Sequence, residues 1–183
     1  MRVFLVLGLT VVCILTLNNA ATSATQQEQK TDPSYKEGLR ISLLAPKHRY
    51  KRNEKIKLHV MLTNVSYKNL YVLGDLEWGY NASLLLHVRD ASSKEIEPTA
   101  FPDSQIFVDP NDEHAFVKLL PNHFIGTTLV SDLKFLNINK PGKYSVYVEY
   151  FSKVPSKSVG MTPFWGFENG TLFSNLVWIE VVR

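Results

Sequence analysis

The chain has one cysteine, Cys13, and it lies inside an apolar N-terminal run. An intrachain disulfide is therefore excluded, and with it any small scaffold held by cross-links. Beyond that run no stretch approaches the about 20 apolar residues of a membrane-spanning helix. Charge of one sign is lacking too: 20 Lys and Arg against 17 Asp and Glu give a formal net charge of +3. Such a mixed balance argues against nucleic acid or a charged membrane surface as partner. There is no internal repeat. No long segment shows the 3.6-residue apolar period of an amphipathic helix.

Reactive constellations are also missing. The sequence has no G-x-S-x-G elbow, no H-E-x-x-H and no closely spaced histidine pair. Of its five histidines, His59 and His87 fall on the polar phase of strand-like segments and read as surface residues. Ser131 and Lys134 form an S-x-x-K, but that spacing supports chemistry only on a helix inside a cleft. Here it reads as a surface turn. The chain is expected not to be an enzyme and to use no cofactor.

What is present starts with an address. Arg2 precedes the apolar run Val3 to Leu17, and small residues follow from Ala20 to Ala24. This is the order of a secretory signal peptide, expected over residues 1–24 with cleavage after Ala24 or Ala20. Val12, just before Cys13, is unlike the small residue a lipoprotein signal requires. The expected location is secreted, periplasmic or extracellular, with no membrane insertion after cleavage. Residues 25–37 are polar and read as a flexible leader.

From residue 38 the pattern is that of strands. Ile56, Leu58, Val60 and Leu62 alternate with Lys55, Lys57, His59 and Thr63. Leu39–Ala45, Asn69–Leu73, Ser83–Asp90, His114–Leu120, Lys143–Tyr150 and Asn175–Val182 read likewise. Gly126–Leu133 reads either as strand or as the start of a helical turn. Short strands punctuated by turns predict an all-β, immunoglobulin-like antiparallel β-sandwich (Greek key) without a disulfide, over residues 38–183. Val60, Leu62, Leu86, Tyr144, Val146, Val148 and Ile179 are its expected core. "KPGKYSV" (Lys140–Val146) places Pro-Gly shortly before an inward Tyr. That resembles the corner before strand F of immunoglobulin-like domains, with Val146 where a cysteine would stand.

The segments Tyr50–Ser66, Leu86–Glu95, Lys140–Val146 and Ser174–Val181 together resemble exported bacterial immunoglobulin-like domains of an uncharacterised family. The resemblance covers nearly the whole mature chain. It implies a binding, spacer or accessory role and supplies no catalytic residue.

The abundant feature is aromatic. Between two strand-like segments, residues 151–175 run far longer than a hairpin turn and carry "PFWGFENG". Either those rings fold back to cap the sandwich, or they stay exposed as a contact surface. The contact candidates are Trp165, Phe164, Phe167, Trp78, Trp178 and Tyr147, the last two on the outward phase of their strands. The expected function is a non-catalytic exported module that contacts a protein or a glycan. The alternative is an inhibitor presenting the loop to a protease. "DPNDE" supplies Asp109, Asp112 and Glu113 as a sparse calcium candidate, with Asp103, Asp75 or Glu77 as helpers. Calcium takes about 6–8 oxygens, which one pentapeptide cannot supply, so the favoured reading is a solvated turn and no metal is expected. Asn64, Asn81 and Asn169 begin N-x-S/T triplets, which in a eukaryotic secretory pathway would mark surface turns.

Overall fold

The alternating segments form strands. The computed structural model describes residues 35–100, 102 and 108–183. Among them the strands are β1 (Tyr35–Lys36), β2 (Leu39–Leu44), β3 (Arg49–Lys51), β4 (Lys55–Asn64), β5 (Leu70–Leu73) and β6 (Leu84–Asp90). They continue with β7 (Glu95–Ile96), β8 (Phe116–Leu119), β9 (Phe124–Asp132), β10 (Gly142–Phe151), β11 (Thr171–Phe173) and β12 (Val177–Val182). The expected signal peptide, residues 25–34 of the expected leader, and Asp103 lie outside the described residues. All described residues belong to one compact unit.

One sheet runs β1-β2-β4-β9, the other β3-β12-β10-β6-β7 with β11 also on β10. The chain is thus an immunoglobulin-like β-sandwich. Its pairs are antiparallel except β3, which lies parallel to β12. Pro46 has no N–H for a ladder and stops β2. The chain then crosses to the second sheet, where Tyr50 alone among charged neighbours turns inward and is buried. The crossover is not legible in the sequence, because three residues are too few for a visible alternation.

Between the sheets Ile41, Leu58, Val60 and Leu62 face Leu86, Val88, Val146, Val148 and Ile179, all buried in one cluster. Each such side chain contributes about 1.5–3 kcal/mol on burial. Residues 124–132 resolve the ambiguity of the sequence: they are strand, paired with β4 from Lys55↔Asp132 to Thr63↔Phe124.

Two tyrosines on β10 make a matched pair. Tyr144 Oη donates to the Lys140 carbonyl at 2.7 Å, the tie expected of the corner. Tyr150 is fully buried and its hydroxyl has no partner among the described residues, and burial pushes its pKa up. A net hydrogen bond is worth about 1 kcal/mol, while an unpaired buried polar group costs a similar amount or more. Tyr144→Phe should therefore lower stability by about 1 kcal/mol, and Tyr150→Phe should leave it unchanged or raise it by up to about 1 kcal/mol. Urea denaturation of both variants checks this, and equal losses would contradict it.

Beyond Asn64 the β4–β9 ladder continues as a narrow ribbon, β5 paired with β8 from Leu70↔Leu119 to Leu73↔Phe116. Asn64 joins the two parts. Its Nδ2 donates to the Lys68 carbonyl at 2.7 Å and the Leu119 carbonyl at 2.9 Å. Its Oδ1 accepts from Ser66 N at 3.0 Å and from Ser66 Oγ at 2.7 Å. The side chain is wholly buried, so this N-x-S triplet does not mark a surface. Asn169 is half-buried and accepts from Gly166 N at 2.8 Å. Asn81 is the exposed one of the three.

Candidate functional site

The long loop after β10 is a cover. Tyr71 N donates to the Pro163 carbonyl and Trp165 N to the Tyr71 carbonyl, each at 2.9 Å, which stitches the loop along β5. Phe164 then drops into a second cluster with Leu73, Phe116, Val154 and Val159, meeting Phe116 edge-on at 5.2 Å. Trp165 turns the other way, into the main core, at 1% exposure and 5.4 Å from Tyr150. Glu168 Oε2 accepts from Ser156 N at 3.0 Å and Ser156 Oγ at 3.1 Å, tying the loop's two short turns together. Gly166 permits the approach, since a Cβ there would collide with the Ser156 backbone.

This arrangement corrects two of the contact candidates. Trp165 and Phe164 are buried, because β5 and β8 reach beyond the sandwich and need an apolar cover. Neither can touch a ligand at the surface. Trp78 is half-buried and packs against the main core. Phe167 stands out at 64% exposure on the turn Phe167–Asn169.

The outer face of the β3-β12-β10-β6-β7 sheet falls into two halves. Toward β7, Tyr147 points outward as its phase requires, yet it is only 9% exposed. Its neighbours cover it. His87 stacks on its ring at 4.5 Å, the Arg89 guanidinium lies 4.7 Å from its centroid, and Phe173 leans on it at 6.3 Å. Tyr147 is thus corrected from contact candidate to packed residue. The charges of this half are matched: His87 Nδ1 is 2.7 Å from Glu95 Oε1, His87 Nε2 is 3.1 Å from Glu149, and Arg89 Nε donates to Glu95 at 3.0 Å.

Burial pushes the Glu95 carboxyl up, but the hydrogen bonds from Arg89 and His87 outweigh it and hold the group below its ordinary value. A carboxyl whose folded pKa is depressed adds stability above its unfolded pKa and loses it as the pH falls through the folded one. The stability gap between the native protein and Glu95→Gln should therefore be open near pH 7 and narrow below about pH 4. Melting curves across that range test this, and a constant gap would contradict it.

Toward β3 the face is different. Trp178 is 54% exposed and stands opposite Ser145, whose side chain is too small to cover an indole. Beside it runs a cross-strand row, Arg49–Glu180–Lys143, because Glu180 pairs with both neighbours. Arg49 Nε reaches Glu180 at 3.5 Å, and both side chains are exposed. Lys143 has no partner among the described residues. His48 Nδ1 donates to the Trp178 carbonyl at 3.0 Å. These side chains line a shallow depression. The sequence showed Trp178 by strand phase. Lys143 was legible the same way, one row along β10, whereas Arg49 and His48 arrive by the crossover after Pro46.

The remaining candidates disperse. Asp109 Oδ1 accepts from Asn111 N at 2.9 Å, and Asp112 Oδ1 caps the turn Glu113–Ala115 through His114 N at 3.0 Å. These carboxylates serve turns, and among the described residues no group of three or more metal-ligating side chains converges. Ser131 Oγ donates to the Asp132 carbonyl at 3.3 Å while the Lys134 ammonium lies over Phe135 at 5.0 Å, so the S-x-x-K pair is not joined.

No family model and no curated protein matches the chain. Solved structures with partial likeness include a β-glucosidase from Erythrobacter marinus (TM-score 0.39, 10% identity, 79% of this chain and 15% of that one). A β-glucosidase from Listeria innocua in complex with laminaribiose gives TM-score 0.40 and 15% identity over 81% of this chain and 16% of that one. A CARDB domain of Pyrococcus furiosus, solved with di-metal ions, gives TM-score 0.37 and 12% identity over 79% and 87%. The chain thus spans about a sixth of the length of these glucosidases.

Proposed function

We propose that the chain is a non-catalytic exported binding module, of the kind its resemblance to exported bacterial immunoglobulin-like domains implies. Its contact surface is the β3-side half of the outer sheet face, centred on Trp178. The observation that carries this reading is the contrast within one face. On the β7 side His87, Arg89, Glu95 and Glu149 are paired and Tyr147 is covered, whereas on the β3 side an indole and a lysine stand open. An aromatic ring held open on a rigid strand offers apolar area at little entropic cost, which a partner would cover with a gain in free energy.

The loop that prompted an inhibitor reading packs densely against β5 and the core, which removes its support as a presented segment. Trp178→Ala should leave stability within about 0.5 kcal/mol, as exposed substitutions do. It should abolish retention on immobilised protein of the ligand-bearing fraction of native envelope or medium. Retention by Trp178→Ala equal to that of the unaltered chain would defeat the proposal.

A further inference from the structure

We infer that the ligand of this face is an acidic carbohydrate, a chain of uronate-type sugars. One ring stacks on Trp178, and carboxylates of the chain are held by Lys143 on one side of Glu180 and Arg49 on the other. The inference rests on the binding reading above and names its ligand class.

Three features select this chemistry. The first is the company Trp178 keeps. The core of a protein–protein patch is depleted of charge. Here the side chains around the indole are Arg49, Glu180, Lys143 and His48. A sugar suits such a surface, because it offers an apolar ring face and a hydroxyl rim at once. Glu180 can accept from hydroxyls, and His48 Nε2 is free to bond them because Nδ1 is committed to the Trp178 carbonyl.

The second is charge. Arg49 and Lys143 outnumber Glu180, and the Arg49–Glu180 contact is a single exposed approach through Nε. The terminal guanidinium nitrogens therefore remain for a carboxylate, which arginine binds in a two-pronged fashion. The ligand's carboxylates lie on the Lys143 and Arg49 flanks rather than over Glu180, which stands between them.

The third is spacing. Trp178 and Glu180 are two residues apart on β12, and Lys143 and Ser145 are their partners on β10. Two residues of strand advance by about 7 Å. That is the span of a hexose ring with its exocyclic carboxylate. The indole and the charged row thus lie one sugar apart, on strands that hold the distance fixed.

Isothermal titration calorimetry with the full mature chain tests this. The probes are an oligogalacturonate, the neutral oligogalactoside of equal length, and an oligoglutamate peptide. The expected result is saturable binding of the uronate, at least about tenfold tighter than either control, a difference of about 1.4 kcal/mol. Trp178→Ala should weaken it at least about tenfold, and Lys143→Gln should weaken it several-fold. Raising the salt from about 0.05 to 0.5 M should weaken the native chain more than Lys143→Gln, since screening acts on the charge pair.

Equal binding of the neutral sugar would overturn the inference, as would equal binding of oligoglutamate or indifference to Trp178→Ala. Absence of uronate binding, with Trp178-dependent retention of envelope material intact, would overturn the ligand class and leave the binding reading standing. Loss of both would remove the reading as well. A melting temperature within about 1 °C of the native value confirms that each variant is folded.

Discussion

Trp165→Ala is expected to melt about 10 °C below the native protein. The indole is 1% exposed, it packs on Tyr150, and its backbone N–H closes the seam with Tyr71. Large-to-small truncation of a buried aromatic removes its transfer free energy and leaves a cavity, together about 3–5 kcal/mol. In a domain of this size each kcal/mol moves the midpoint by about 2–4 °C. The loss is a large part of a total stability of about 5–15 kcal/mol. Differential scanning calorimetry reads it directly. A midpoint within about 1 °C of the native one would mean that the indole carries no packing. Trp178→Ala is the control, because it removes the same side chain from an open face and should not move the midpoint.

The two tryptophans show what the sequence could and could not convey. Period-two alternation placed Val60, Leu86, Val146 and Ile179 inside and Trp178 outside, since a strand of six or more residues fixes the face of every side chain. Tyr144 was legible by the same phase, and Pro141-Gly142 marked its corner. The loop was not legible in this way. Its rings obey no period, and whether Phe164 and Trp165 are inside depends on β5 and β8, a ribbon whose partners Leu73 and Phe116 are 43 residues apart in the chain and distant from the loop itself. Tyr147 was placed on the correct face, yet its cover comes from side chains on two other strands. The site suffered similarly. Trp178 and Lys143 follow from the strand phase of β12 and β10. Arg49 joins them only because three residues cross sheets after Pro46, too short a segment for alternation to declare itself.

Asn64→Ala should be nearly as damaging as the loss of Trp165, for a polar reason. The Asn64 side chain sits where one ladder ends and the next begins, and it makes four hydrogen bonds without exposure to water. Alanine strands the Leu119 carbonyl, which lies deep between the ribbon and the sandwich. It also frees the Ser66 turn that reverses the chain toward β5. Each buried group left unpaired costs about 1–3 kcal/mol, so a loss of about 3 kcal/mol follows once the exposed partners regain water. Amide exchange should quicken first in Leu70–Leu73 and Phe116–Leu119, because their docking depends on this joint, while the β4–β9 ladder is held by its own pairs. Asn64→Asp separates hydrogen bonding from shape. It keeps an acceptor for Ser66 but turns a carboxylate toward two carbonyl oxygens. Burial and those carbonyls would raise the new carboxyl's folded pKa, so its stability is greatest below the ordinary carboxylate value of about 4 and declines as the pH rises. Asn64→Asp should then lie closer to the native protein at about pH 4 than at pH 7, whereas the Asn64→Ala deficit should not change with pH. A pH-independent deficit for both variants would mean that the joint is held by packing rather than by its hydrogen bonds.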